Sequence, residues 1–154
     1  MAAPAIEGAN CEGKELMSKW IISRRALLAG VCGVIAATIA PLPASAANAV
    51  KKLPGGRLSV QLNKIPELRI EGGSVRVGVV KGKQVAITRT GAKSYKAISL
   101  SCPHQGVTVA RTDTGWRCDA HGSEFEANGS LVLGPATTDL AAIPMKISRG
   151  VATL

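Results

Sequence analysis

Ser101-Cys102-Pro103-His104-Gln105-Gly106 and Cys118-Asp119-Ala120-His121-Gly122-Ser123-Glu124-Phe125, with 13 residues between His104 and Cys118, are the stretches on which the reading of this chain turns. They read C-x-H and C-x2-H. The chain has only two histidines, and both sit here. A Cys and a His one or two residues apart in a loop can aim both side chains at a common point. Two such loops supply two thiolates and two imidazoles, a donor set that suits zinc or an iron–sulfur cluster. Structural zinc sites usually pair Cys with Cys and His with His. Here each loop pairs one Cys with one His, which fits a two-iron cluster with one iron on both Cys and the other on both His.

Outward from these loops, apolar residues alternate in short runs. Leu58, Val60 and Leu62 share one face of an expected strand, with Ser59 and Gln61 on the other. Ile65-Pro66-Glu67-Leu68 bends the chain, and Gly72–Gly73 turns it. Val75, Val77 and Val79 alternate again. Lys81-Gly82-Lys83 reads as a tight hairpin turn, with Val85-Ala86-Ile87 returning. Further strands are expected at Tyr95–Leu100, Val107–Arg111, Gly115–Cys118, Leu131–Leu133 and Ile143–Ile147, with Val151–Leu154 as an edge. No segment holds a helical period, so the expected fold is all-β. With aromatics at 3% of residues, its core must come from Val, Ile, Leu and Ala. Trp116 and Tyr95 are expected to pack in that core.

The two loops resemble those of the Rieske iron–sulfur family, whose pattern is C-x-H-x-G in the first loop and C-x2-H-G-S-x-[YF] in the second. Cys102, His104, Gly106, Cys118, His121, Gly122, Ser123 and Phe125 fill every position. Gly134-Pro135-Ala136 resembles the family's proline loop, which covers the cluster from a third side. The resemblance spans residues 57–154. It implies antiparallel sheets forming a base sandwich plus a small cluster-binding subdomain. It also implies a [2Fe–2S] cluster with Cys102 and Cys118 on the inner iron and His104 and His121 on the outer, solvent-facing one. Neutral imidazoles in place of two thiolates raise the potential above that of four-Cys ferredoxins. Ser123 resembles the family serine that donates to a bridging sulfide. Phe125 stands where high-potential members carry Tyr, whose hydroxyl is a further donor. Val107 and Ala120 stand where respiratory members carry the two Cys of an inter-loop disulfide. The resemblance therefore implies an intermediate or low value within the Rieske range of about −150 to +300 mV.

Residues 1–46 read as an address, and 47–56 as a linker. Ser23-Arg24-Arg25-Ala26-Leu27-Leu28 resembles the twin-arginine export motif. An apolar stretch of about 15 residues follows, Ala26 to Ala40, short for a span of about 20. Ala44-Ser45-Ala46 fits an A-x-A cleavage site. Cleavage after Ala46 and release is the first expectation. Retention as a tether through residues 21–40 is the second. Cys11 and Cys32 fall in this leader, leaving Cys102 and Cys118 to the domain. Twin-arginine export carries folded cargo, which suits a cluster assembled before the chain crosses.

The chain thus reads as a one-electron transfer protein on the periplasmic or exported face of a membrane. It would act as a soluble or tethered carrier, or as the small subunit of an oxidoreductase such as the arsenite-oxidase-like ones, with a redox protein or cytochrome as partner. The alternatives are a Rieske subunit of a quinol–cytochrome complex and an oxygenase-type Rieske ferredoxin. No stand-alone catalytic site is read. Residues 47–154 carry 15 Lys and Arg against 7 Asp and Glu, a balance of 15 − 7 = +8. Such a surface favours an acidic docking partner. The Lys and Arg are scattered and aromatics few, which excludes a nucleic-acid binder.

Overall fold

The structure, a computed structural model, describes residues 42–154. The twin-arginine pair, the apolar stretch, Cys11 and Cys32 lie outside the described residues. Among the described residues the chain forms one short helix, α1 (Ala44–Ala47), and the strands β1 (Val50–Leu53), β2 (Arg57–Gln61), β3 (Ser74–Val80), β4 (Lys83–Arg89), β5 (Tyr95–Ser99), β6 (Ala110–Arg111), β7 (Gly115–Arg117), β8 (Glu124–Glu126), β9 (Leu131–Leu133), β10 (Ala142–Ile143), β11 (Lys146–Ser148) and β12 (Val151–Thr153). All pair antiparallel. They make three four-stranded sheets, ordered β1-β2-β12-β11, β10-β5-β4-β3 and β6-β7-β8-β9. This is the all-β, antiparallel architecture expected.

The alternation of β2, β3 and β4 explains the first core. Leu58 and Val60 meet Val75, Val77, Val85 and Ile87 across the gap between the first two sheets. Leu62, Ile65 and Leu68, carried on short 3-10 turns between β2 and β3, close one side. The middle sheet is buried on both faces. Val85, Ile87 and Ala97 point into this sandwich, while Ala86, Ile98 and Leu100 point into a second core with Val109, Trp116, Phe125 and Leu140. A strand buried on both faces loses polar alternation, which is why 85–88 is buried without a break. Each fully buried Val, Leu or Ile contributes about 1.5–3 kcal/mol, enough to build both cores with few aromatics. Tyr95 is half-buried against the first core.

Four expectations need correction. Residues 50–53, read as linker, form β1 and pair with β2 from Val50↔Val60 to Leu53↔Arg57. Its side chains give no alternation because Lys51 and Lys52 are both exposed; backbone pairing alone defines it. Val79 does not continue the inward face. The register with β4 slips between Arg76 and Gly78, and the bulge turns Val80 inward instead. Ile143–Ile147 is not one strand but two, β10 and β11, interrupted at Pro144, and they belong to different sheets. Val151–Thr153 is no edge. It lies between β2 and β11, pairing with both.

Candidate metal centre

Both cysteine loops are short, and both close on themselves in the same way. After β5, Cys102 N–H donates to Val107 O (2.8 Å) and Gly106 N–H donates to Cys102 O (2.7 Å). Between β7 and β8, Cys118 N–H donates to Ser123 O (2.8 Å) and Gly122 N–H donates to Cys118 O (2.7 Å). Each glycine returns the chain at positive φ, +74° for Gly106 and +79° for Gly122. That backbone conformation is disfavoured for residues with a Cβ, so glycine sits there for a physical reason. His104 and His121 are held in the middle of these two closed loops.

The four donor side chains sort by depth. Cys102 is 1% exposed and Cys118 fully buried, both at the edge of the second core. His104 is exposed and His121 half-exposed. The two imidazoles meet edge to face, with ring centroids 4.6 Å apart. Cys118 Sγ lies 3.9 Å from His121 Nδ1. Both thiols are free of any disulfide. Among the described residues no three His, Cys, Asp or Glu side chains converge on a point fit for a single metal ion. Two buried thiols beneath two outward imidazoles are a donor set for a two-metal group with unlike ends.

The surrounding groups hold this arrangement in place. Ser123 is fully buried, and its Oγ accepts a hydrogen bond from Ala136 N–H at 3.0 Å. This contact joins the Gly134-Pro135-Ala136 segment to the second loop; Pro135 itself is exposed, with a cis bond before it. Phe125 is buried beside Trp116, opposite it in the β7–β8 pairing. Trp116 Nε1–H donates to Ala127 O (3.2 Å), and Thr88 Oγ1 donates to the same carbonyl (2.5 Å). That shared acceptor ties the loop-bearing sheet to the middle sheet. The Arg111 guanidinium stacks 5.1 Å from the Trp116 ring, and its burial lowers its pKa against the opposing pull of Asp113. Ser101 was not singled out by sequence. Its Oγ–H donates to Gly106 O at 3.1 Å, bracing the first loop. No pattern announces that role, since serine before a turn is common.

Fold and site together define a small all-β domain whose paired loops carry a donor set suited to a two-metal group. The sequence profile of the Rieske [2Fe–2S] domain matches residues 60–144, more than half of the chain, and the chain belongs to that family. Its cofactor is accordingly a Rieske-type [2Fe–2S] cluster, and its work is electron transfer through it. A solved structure supports the same fold. The chain is similar to a protein from a hyperthermophilic respiratory Complex III, at 19% identity and TM-score 0.50, over 61% of this chain and 71% of that one. It is also similar to the plasma membrane Rieske protein PetC3 of the cyanobacterium Synechocystis PCC 6803, at 25% identity and TM-score 0.46, over 52% of this chain and 83% of that one. The ferredoxin of carbazole 1,9a-dioxygenase from Nocardioides aromaticivorans IC177 matches at 21% identity and TM-score 0.39, over 55% and 85%. No curated protein sequence matches the chain.

Proposed function

We propose that Cys102, His104, Cys118 and His121 hold the [2Fe–2S] cluster, and that the protein transfers single electrons on the exported face of a membrane as a soluble or tethered carrier or a small oxidoreductase subunit. The observation that carries the ligand assignment is the pairing of two buried thiols with two outward imidazoles only 4.6 Å apart. When bound, the cluster supplies one-electron redox chemistry. The chain's own residues do the rest. Cys102 and Cys118 anchor it in a dry core, while His104 and His121 present its edge to a partner, giving a short path to solvent. Ser123 Oγ, already accepting from Ala136, keeps its own O–H free to donate towards the cluster. The twin-arginine-like leader supports the exported location. Val107, Ala120 and Phe125, which replace the disulfide pair and the tyrosine hydroxyl, favour a carrier or small subunit over a quinol-oxidising one. A partner of acidic surface fits the net positive charge.

The test is an EPR spectrum of the reduced protein purified with iron and sulfide, followed by titration of the signal against potential. A Rieske signal with a midpoint in the lower or middle part of about −150 to +300 mV is expected. A midpoint at the top of that range would return the protein to the quinol-oxidising class. Zinc in place of iron, with no signal, would overturn the ligand assignment.

A further inference from the structure

In sequence the Lys and Arg are scattered, but the fold gathers part of them towards one end of the first sandwich. Three stretches meet there: β1 and β2 with their turn (residues 50–61), the β3–β4 hairpin (79–85), and β10 with β11 (142–148). Together they carry Lys51, Lys52, Arg57, Lys81, Lys83 and Lys146 and no Asp or Glu. The acidic residues lie elsewhere, after β2 and on the loop-bearing sheet and its connections. Arg57, Lys81 and Lys83 are exposed and rim a groove of about 460 Å³. Its floor is apolar, made by Val80, Ile143 and Leu154 at the mouth of the first core. Among the described residues none of the three rim cations is ion-paired; the pair present joins Arg117 to Glu124 at 3.9 Å on the loop-bearing sheet. A surface shaped for solubility alone mixes both signs of charge. A rim of one sign over an apolar floor is the complement of an acidic ligand with an apolar centre. The first cysteine loop leaves the middle sheet at this same end. β4 starts at Lys83, β5 runs back beside it, and Leu100 N–H donates to Gln84 O at 2.8 Å. The chain reaches Cys102 two residues later and His104 two beyond that.

We propose that this groove is where the redox partner docks, and that the partner presents an acidic segment with an apolar side chain at its centre. The carboxylates meet Arg57, Lys81 and Lys83, and the apolar side chain covers Val80, Ile143 and Leu154. Docking here rests on the electron-transfer reading above and not on export of the chain. Charge complementarity of this kind speeds encounter and fixes orientation more than it adds affinity. Orientation is what a one-electron carrier needs, because the electron leaves by one edge of the domain. The groove is separate from the imidazole edge: one holds the partner, the other passes the electron.

The experiment uses the full chain, loaded with iron and sulfide, as wild type, as Lys81→Glu/Lys83→Glu and as Lys64→Glu/Lys93→Glu. The second pair makes the same change in net charge at exposed positions beyond the opposite ends of β2 and β4. One probe is the end-blocked peptide Glu-Asp-Leu-Asp-Glu, its binding read by titration calorimetry at an ionic strength of about 0.01 M. The other is an oxidised plastocyanin with an acidic patch. It takes one electron from the reduced protein as Cu(II) becomes Cu(I), and stopped flow follows the copper colour. The peptide is expected to bind wild type and Lys64→Glu/Lys93→Glu, and at least about tenfold more weakly to Lys81→Glu/Lys83→Glu. Gly in place of its Leu should weaken it by about tenfold as well, through lost apolar burial. Copper reduction slows by a similar factor in Lys81→Glu/Lys83→Glu alone, with the EPR signal the same in all three chains. Equal losses in both reversed pairs overturn the inference, because net charge and not this groove would then steer. Peptide binding that ignores the reversal at Lys81 and Lys83 also overturns it. So does a chain that binds phosphatidylglycerol vesicles through Lys81 and Lys83 but not the peptide, which would make this end a lipid-facing surface. A wild-type chain with no Rieske EPR signal removes the electron-transfer reading and this inference with it.

Discussion

Under the proposed ligand assignment, Ser123 would serve fold and redox chemistry together. Its oxygen accepts from the buried Ala136 N–H, which leaves the hydroxyl proton for an acceptor on the cluster side. Ser123→Ala removes both. The stranded Ala136 N–H costs about 1–3 kcal/mol of stability, since a buried donor without a partner forfeits its full desolvation. Losing a donor that favours the reduced state by about 1.4 kcal/mol lowers a one-electron potential by about 59 mV. The proposal therefore expects a drop of that order in an EPR-monitored titration, with the Rieske line shape retained. A variant that is less stable but unchanged in potential would leave Ser123 as packing only. At this scale the candidate site is legible in sequence because the chemistry proposed for it needs particular atoms. Cys102, His104, Cys118, His121, Gly106, Gly122 and Ser123 all lie in two short stretches. Ser101 and the Ala136 amide were not legible, because hydrogen bonds made by a common serine or a backbone group leave no pattern.

Elements carry the next level of constraint. The two loops share one design, in which a glycine N–H returns to the cysteine carbonyl and the histidine is left on the outer bend. A Cβ on Gly122 would meet nothing within 4 Å, so Gly122→Ala isolates the cost of its positive φ. That cost is roughly 1–2 kcal/mol. The expected outcome is faster loss of the visible cluster absorbance in urea, with the midpoint of loss shifted to lower denaturant and the EPR signal of the surviving protein unchanged. Equal resistance in variant and parent would remove the backbone argument. Strands were legible where side chains alternate against a core, as in β2 and the first half of β3. They were not where pairing alone makes the strand. β1 exposes two lysines in succession, and β8 (Glu124–Glu126) lay hidden under the ligand motif as a loop. The bulge in β3 was equally silent, since Val79 and Val80 are alike in composition and only the register separates them.

The described residues form two cores sharing one sheet, and this division sets which side of the domain presents the imidazoles. The middle sheet fixes the sandwich on one face and the thiol-bearing core on the other, so the loops are mounted on a support buried on both sides. The imidazole edge then faces solvent on a protein whose net charge is positive, +9 over the full chain. A cationic surface concentrates anionic reactants at low salt, and the effect fades as the Debye length falls from about 30 Å at 0.01 M to about 8 Å at 0.15 M. This gives a prediction that needs no knowledge of the natural partner. Oxidation of the reduced protein by hexacyanoferrate(III), an anion, should slow several-fold between those two ionic strengths, whereas a cationic cobalt(III) complex should speed up. Stopped-flow decay of the reduced cluster measures both. If the two oxidants respond alike, the charge is spread as a solubilising surface and does not steer. If they diverge as expected, the region around His104 and His121 lies within the positive field, which favours the proposed acidic docking partner.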